Sequence, residues 1–244
     1  MSNATTRPNG RIIWRGPSLI DGAPLVVIAI GFASASENRK TGDLIQTYIL
    51  RADVAPLAAI ASGADVSICG DCPHRGTADA GRTCYVNVGQ GATVVYKSLQ
   101  RGIYPEWDGT GINGRMVRLG TYGDPAAVPF NVWSRLVRDA VGHTGYTHQW
   151  RTRPELRTLC MASADSVADM MDAHAMGWRT FRVVMPGQAP RIRPEAVCPA
   201  SEEAGRKLTC DTCLACSGAD GRKGSIVIQA HGGFAVMANV RKHA

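Results

Sequence analysis

The segment Met116-Val117-Arg118-Leu119-Gly120-Thr121-Tyr122-Gly123-Asp124-Pro125 decides the fold. Its β-branched, apolar opening reads as a strand, and its glycines and Asp-Pro read as a turn. A helix is expected next, from about Pro129 to Val141, with proline tolerated in its first turn. Strand-like runs then recur at 144–148, 157–161, 179–184, 196–198 and 225–229. A helix from Ser166 to Met176, capped by Asp165 and closed by Gly177, lies between two of them. Strands separated by helices imply parallel pairing through crossovers.

Working back toward the N-terminus, Ile12–Trp14, Pro24–Ile30 and Leu44–Leu50 read as strands. Helices are expected over Pro56–Ala61, ended by Gly63, and over Gly89–Arg101. Val66-Ser67-Ile68 reads as a strand that runs into Cys69. The expected fold class is α/β: a partial or complete β/α barrel with an N-terminal β appendage and cysteine-rich metal-binding loops. An open doubly wound sheet is the alternative. The expected division is a disordered arm over 1–11, the appendage over 12–52, the barrel over 53–234 and a basic tail over 235–244.

A chain of 244 residues with 45% hydrophobic and 19% charged residues buries an ordinary globular core. No run approaches the roughly 18 apolar residues of a membrane helix. The polar N-terminus lacks a signal peptide's apolar region, so no membrane partner and a cytoplasmic location are expected. The net charge of +7 is compatible with an anionic small molecule or nucleic acid as partner. No G-x-G-x-x-G or Walker-type loop is present, which counts against a nucleotide-binding Rossmann or P-loop protein.

Seven of the eight cysteines form two sets. Cys69, Cys72 and Cys84 are spaced C-x2-C-x11-C, and Cys198, Cys210, Cys213 and Cys216 are spaced C-x11-C-x2-C-x2-C. Clustered thiols in a reducing compartment point to metal or redox chemistry rather than to disulfides. Four soft ligands suit a [4Fe–4S] cluster or a structural zinc ion. The three-thiol set would leave one iron open, or take His74 as the fourth ligand of a zinc site, or join the other set in one composite site. Cys160 reads as a small core residue.

Polar residues just after strands are the natural site candidates in an α/β fold. Tyr122, Asp124 and His148 are the candidate catalytic residues, with a capping role as the alternative for Asp124. Arg118, Arg182 and His231 are the candidates for holding an anionic substrate or cofactor. Ser163 and Asp165 read as helix caps.

The motifs Ser67-Ile-Cys-Gly-Asp-Cys-Pro-His-Arg75, Cys84-Tyr-Val86, Arg118–Pro125, Tyr146-Thr-His-Gln-Trp-Arg151, Cys198-Pro-Ala-Ser-Glu-Glu202 and Ala230-His-Gly232 carry a resemblance. Over about residues 12–232 the chain is similar to the phage gene product 88-like proteins, an uncharacterised family of phages and prophages. That implies a phage origin and the host cytoplasm. A weaker resemblance is to radical S-adenosylmethionine enzymes, and it implies S-adenosylmethionine beside an iron–sulfur cluster. Their usual C-x3-C-x2-C is replaced here by C-x2-C-x11-C. The expectation is an iron–sulfur protein, with a radical or redox reaction on a nucleotide or nucleic-acid base. The alternative is a zinc-stabilised nucleic-acid-binding or host-interaction protein without catalysis.

Overall fold

The computed structural model describes residues 8–34, 41–76, 81–184, 191–219 and 223–230. Among these residues ten strands form two five-stranded sheets. They are β1 (Gly10–Pro17), β2 (Pro24–Ile30), β3 (Leu44–Arg51), β4 (Met116–Tyr122), β5 (Gly142–Thr144), β6 (Tyr146–Thr147), β7 (Met161–Ala164), β8 (Thr180–Val184), β9 (Ala196–Val197) and β10 (Ile226–Gln229). Six helices accompany them: α1 (Pro56–Ser62), α2 (Val66–Cys69), α3 (Gly91–Gln100), α4 (Phe130–Val137), α5 (Val167–Ala175) and α6 (Cys210–Cys213).

The first sheet runs β1-β2-β3-β4-β5. Its first three strands are an antiparallel meander, and β3 then pairs parallel with β4, and β4 with β5. The second sheet runs β6-β7-β8-β10-β9 and is parallel throughout. Only Gly145 separates β5 from β6, so one stretch of chain serves both sheets. A side chain at Gly145 would collide with the Cys160 sulfur and the Leu159 carbonyl. The parallel α/β pattern expected from the sequence is therefore present.

Two expected strands are not strands. Val66–Cys69 is a helical turn, with the amides of Ile68 and Cys69 both directed at the Asp65 carbonyl. A three-residue apolar run does not distinguish strand from helix, and the long-range bond from the Asp124 amide to the Ile68 carbonyl (2.6 Å) fixes the helical form. The run 157–161 is displaced: Pro154–Thr158 is a 3₁₀ turn opened by proline, and β7 begins at Met161. The expected disordered arm overlaps β1, which starts at Gly10. His231 and the basic tail lie outside the described residues.

The core takes Ile45, Ile49, Val117, Leu119 and Ala162 from the strands, and Trp133, Leu136 and Ala173 from α4 and α5. Of the three buried indoles, Trp133 donates to the Pro125 carbonyl (2.8 Å) and Trp150 to the Ser163 carbonyl (3.1 Å), while Trp178 Nε1 has no partner among the described residues. Among the described residues no helix is long and apolar enough to cross a membrane.

Arg182, the candidate for holding an anion, is engaged within the fold. Its Nε and Nη2 grip the two oxygens of the fully buried Glu195 at 2.8 and 2.6 Å. A central strand can carry a guanidinium only with such compensation, and Glu195 supplies it. Glu195→Gln should leave the Arg182 charge without its counter-ion and cost about 3–5 kcal/mol in urea unfolding. Replacing both residues with apolar ones of similar volume should recover most of that loss.

Candidate metal centre

The carboxyl ends of β4, β6 and β7 bring together the first cysteine set and the three expected catalytic residues, Tyr122, Asp124 and His148. Asp124 is the organiser. It follows β4, is 7% exposed, and its carboxylate accepts from the Ala126 amide (2.9 Å) and the His148 amide (2.8 Å). Burial raises its pKa, and the bonds from Ala126 and His148 oppose the rise. Both oxygens already accept backbone N–H groups. Asp124 thus takes the capping role that was its alternative, at the Pro125–Ala127 turn, and also positions the backbone of His148.

His148, set down by Asp124 just past β6, points its Nε2 at Asp165 Oδ1 (3.5 Å) and at Cys72 Sγ (3.9 Å). His74 reaches the same carboxylate oxygen from the other side, with Nε2 at 3.0 Å, while its Nδ1 meets Thr83 Oγ1 at 2.8 Å. The carbonyl of His74 also accepts from the amides of Thr83 and Cys84. The Thr83–Cys84 arm is thus tied to His74 by both side chain and backbone. Burial works against charge on His148, but Asp165 and Cys72 outweigh it and raise its pKa well above 6.5. Burial likewise opposes ionisation of Asp165, yet the two histidines hold it well below the usual carboxylate range.

Asp165 was read from the sequence as a helix cap. The cap of α5 is Ser166, whose hydroxyl accepts from the Asp169 amide, and this leaves the Asp165 side chain free to face the histidines. Its place directly after β7 was the available signal. A second missed element is Asp65. It is 1% exposed and pairs with Arg75 (3.1 Å) and Arg82 (3.6 Å), so the 81–86 arm is fastened over α2.

His74, His148 and Asp165 are the only described group in which three such ligand atoms lie within 4.8 Å of one another. A metal about 2.0–2.1 Å from each nitrogen and oxygen needs donors roughly 3.0–3.4 Å apart. The two histidine–carboxylate distances, 3.0 and 3.5 Å, are close to that spacing, and Cys72 lies 3.9 Å from His148 without joining the group. The site therefore fits a single metal ion. Cys69 and Cys84 lie beside it, and both thiols are pushed up, first by burial and in part by the neighbouring Cys72. Tyr122 is 2% exposed, with its pKa raised by burial and by Cys69, and its hydroxyl has no hydrogen-bond partner among the described residues.

The second set is a separate place. The amide of Asp211 donates to the Thr41 carbonyl (3.1 Å), its carboxylate accepts from the Asp43 amide (3.1 Å), and Leu214 lies over Gly142. The loop carrying Cys210, Cys213 and Cys216 thus sits at the amino ends of β3 and β5. Arg179 donates to the carbonyls of Ala215, Gly218 and Gly224, and Lys223 to the Leu214 carbonyl, so the loop is clamped from below. Cys216 is pushed up to about 12, first by burial and then by Cys198, Cys210 and Cys213 around it. Burial also raises Cys198 and Cys210. These four thiols share one electrostatic neighbourhood, but no three described sulfurs come within 4.8 Å of one another. The first set lies at the carboxyl end of β4, through the bond from the Asp124 amide to the Ile68 carbonyl, and the second at the amino ends of β3 and β5, which argues against one composite site.

Comparison with protein-family models, with curated proteins and with solved structures found no match, so the chemistry rests on this geometry.

In the metal-free protein His148 should keep its proton above pH 6.5. Because its folded pKa is raised, the stabilisation from this pair is complete below pH 6.5 and is lost as pH rises through the raised value. Asp165→Asn should bring the His148 titration down, as followed by imidazole NMR. A titration that does not move would assign the shift to Cys72 instead.

Proposed function

We propose that the protein is a metal-dependent enzyme whose catalytic centre lies at the carboxyl ends of the parallel strands. One observation carries this reading: His74, His148 and Asp165 converge at ligand spacing, with Cys72 3.9 Å from His148. Mixed nitrogen, oxygen and sulfur donors suit zinc or another divalent first-row metal. Such an ion supplies Lewis acidity toward a bound water or substrate oxygen.

The chain's own residues do the remaining work. Thr83 orients the His74 ring, as a second-layer hydrogen bond commonly does for a metal ligand. Asp124 fixes the backbone that presents His148. The Asp65–Arg75–Arg82 cluster holds the Cys84 arm in place. Tyr122 offers a buried hydroxyl to a polar group of the substrate. The net charge of +7 supports an anionic substrate, a nucleotide or nucleic-acid base included.

A second reading places an iron–sulfur cluster on Cys69, Cys72 and Cys84, whose thiols lie in each other's fields. Radical chemistry with S-adenosylmethionine belongs to that reading alone. Curvature of the two sheets into a β/α barrel and the phage origin implied by the motif resemblance belong to the proposal as well.

Anaerobic purification followed by metal and sulfide analysis tests it. Zinc or another single metal, lost in Asp165→Ala and in His148→Ala, is the expected result. Iron with stoichiometric sulfide, lost in Cys69→Ala and kept in Asp165→Ala, would replace the first reading with the second. Thr83→Val should weaken metal binding about 10–100-fold without unfolding the protein. Metal retained in Asp165→Ala, together with strongly salt-dependent retention on DNA, would favour a zinc-stabilised binding module.

A further inference from the structure

Arg118 is a strand guanidinium that the fold leaves without a carboxylate. It projects from β4 and is half-buried, and its Nε is shielded from solvent with no hydrogen-bond partner. Other strand arginines are settled. Arg15 on β1 meets Glu106, Arg51 on β3 meets Asp53 and Arg182 on β8 meets Glu195, while Arg11 donates to the carbonyls of Pro8 and Gly10. Among the described residues Arg118 has one hydrogen-bond partner, the Tyr85 hydroxyl, to which Nη2 donates at 2.6 Å. Its guanidinium carbon lies 6.0 Å from the centre of the Tyr146 ring, so two tyrosines rather than an acid stand beside the charge.

Withdrawing a guanidinium from water without an anion is costly. Of its N–H donors, only one on Nη2 meets protein among the described residues. The Tyr85 oxygen accepts that bond, so its own O–H proton is free to donate elsewhere. Tyr85 is 62% exposed, and the pair is therefore reached from solvent. A planar cationic fork beside a neutral O–H donor suits an oxoanion, phosphate above all. The two tyrosines also sit on the segments that carry the histidine ligands. Tyr85 follows Cys84, whose amide donates to the His74 carbonyl at 2.9 Å, and Tyr146 on β6 precedes His148 by two positions.

We propose that Arg118 and Tyr85 form the subsite for a phosphate group of the ligand, joined to the centre of His74, His148 and Asp165 by the segments that carry Cys84 and His148. Arg118 supplies the charge, and Tyr85 holds Nη2 in place while offering a proton of its own. A phosphate here takes up the charge that the fold leaves unpaired. The assignment names the substrate class of the metal centre and rests on that reading for its link to catalysis. Binding of the anion itself needs no metal.

The test uses the full chain stripped of metal with a chelator, so that no ion holds the probe. Inorganic phosphate is titrated in by calorimetry, with acetate as the contrasting arm. Arg118→Gln should weaken phosphate binding about tenfold or more, as expected for losing a charged donor, and Tyr85→Phe about fivefold. The second measurement is the NMR signal of the Arg118 Nε–H, assigned by its absence from Arg118→Lys. Phosphate should shift it saturably in the parent, and this result is decisive whether or not Arg118→Gln folds. Equal phosphate affinity in the parent and Arg118→Gln, or an Nε–H signal indifferent to phosphate, overturns the subsite. A signal moved by acetate and not by phosphate overturns the choice of phosphate. Phosphate bound by a chain that holds no metal as purified sinks the catalytic reading and leaves the subsite standing. Metal held at the histidines without phosphate binding does the reverse.

Discussion

One buried carboxylate joins three parts of this molecule. Asp124 accepts from the amide of His148 and from that of Ala126, while its own amide donates to the Ile68 carbonyl. The end of β4, the helical turn that delivers Cys69, and the residue that follows β6 are thereby held to one another. The glycine before it has no substitute. Gly123 adopts φ +85°, and an added Cβ would meet Ile49 at 2.8 Å and the Ile68 carbonyl at 3.2 Å. The Gly-Asp pair therefore combines a backbone shape with two accepted hydrogen bonds, and the position of His148 depends on both.

The alternation of strand and helix was legible in the sequence because β4, β8 and β10 are compact apolar runs, and Gly63 and Gly177 close helices where expected. Val66–Ile68 was not legible as a helix. Three apolar residues carry no period, and the contact that decides them comes from Asp124, more than fifty positions away. Arg182 was read as ligand-binding, and its partner Glu195 lies thirteen positions further along the chain.

The candidate site divides in the same way. His148 and the cysteines were visible by residue type and by their place after strands or in close spacing. Asp165 was hidden by a competing explanation, since an acidic residue before a helix is ordinarily a cap. Only the structure shows Ser166 taking that role, which leaves Asp165 to lie between two imidazoles. Asp124 carried two readings in the sequence, chemistry and capping, and the structure displays the capping bond. Its position after a strand suggested chemistry, and its geometry shows support. Spacing along the chain identifies donors, but it does not say which donors have already been engaged by the backbone.

The loop of the second cysteine set has a further property. Arg179 gathers three of its carbonyls, Lys223 takes a fourth, and Asp211 anchors it to the start of β3. Small metal-binding loops usually gain their shape from the ion, so that removing the ion unfolds them. Here a cage of cations and amides already holds the backbone in place. The entropy of ordering this stretch is therefore lost on folding itself, and the loop keeps its shape without help from a ligand.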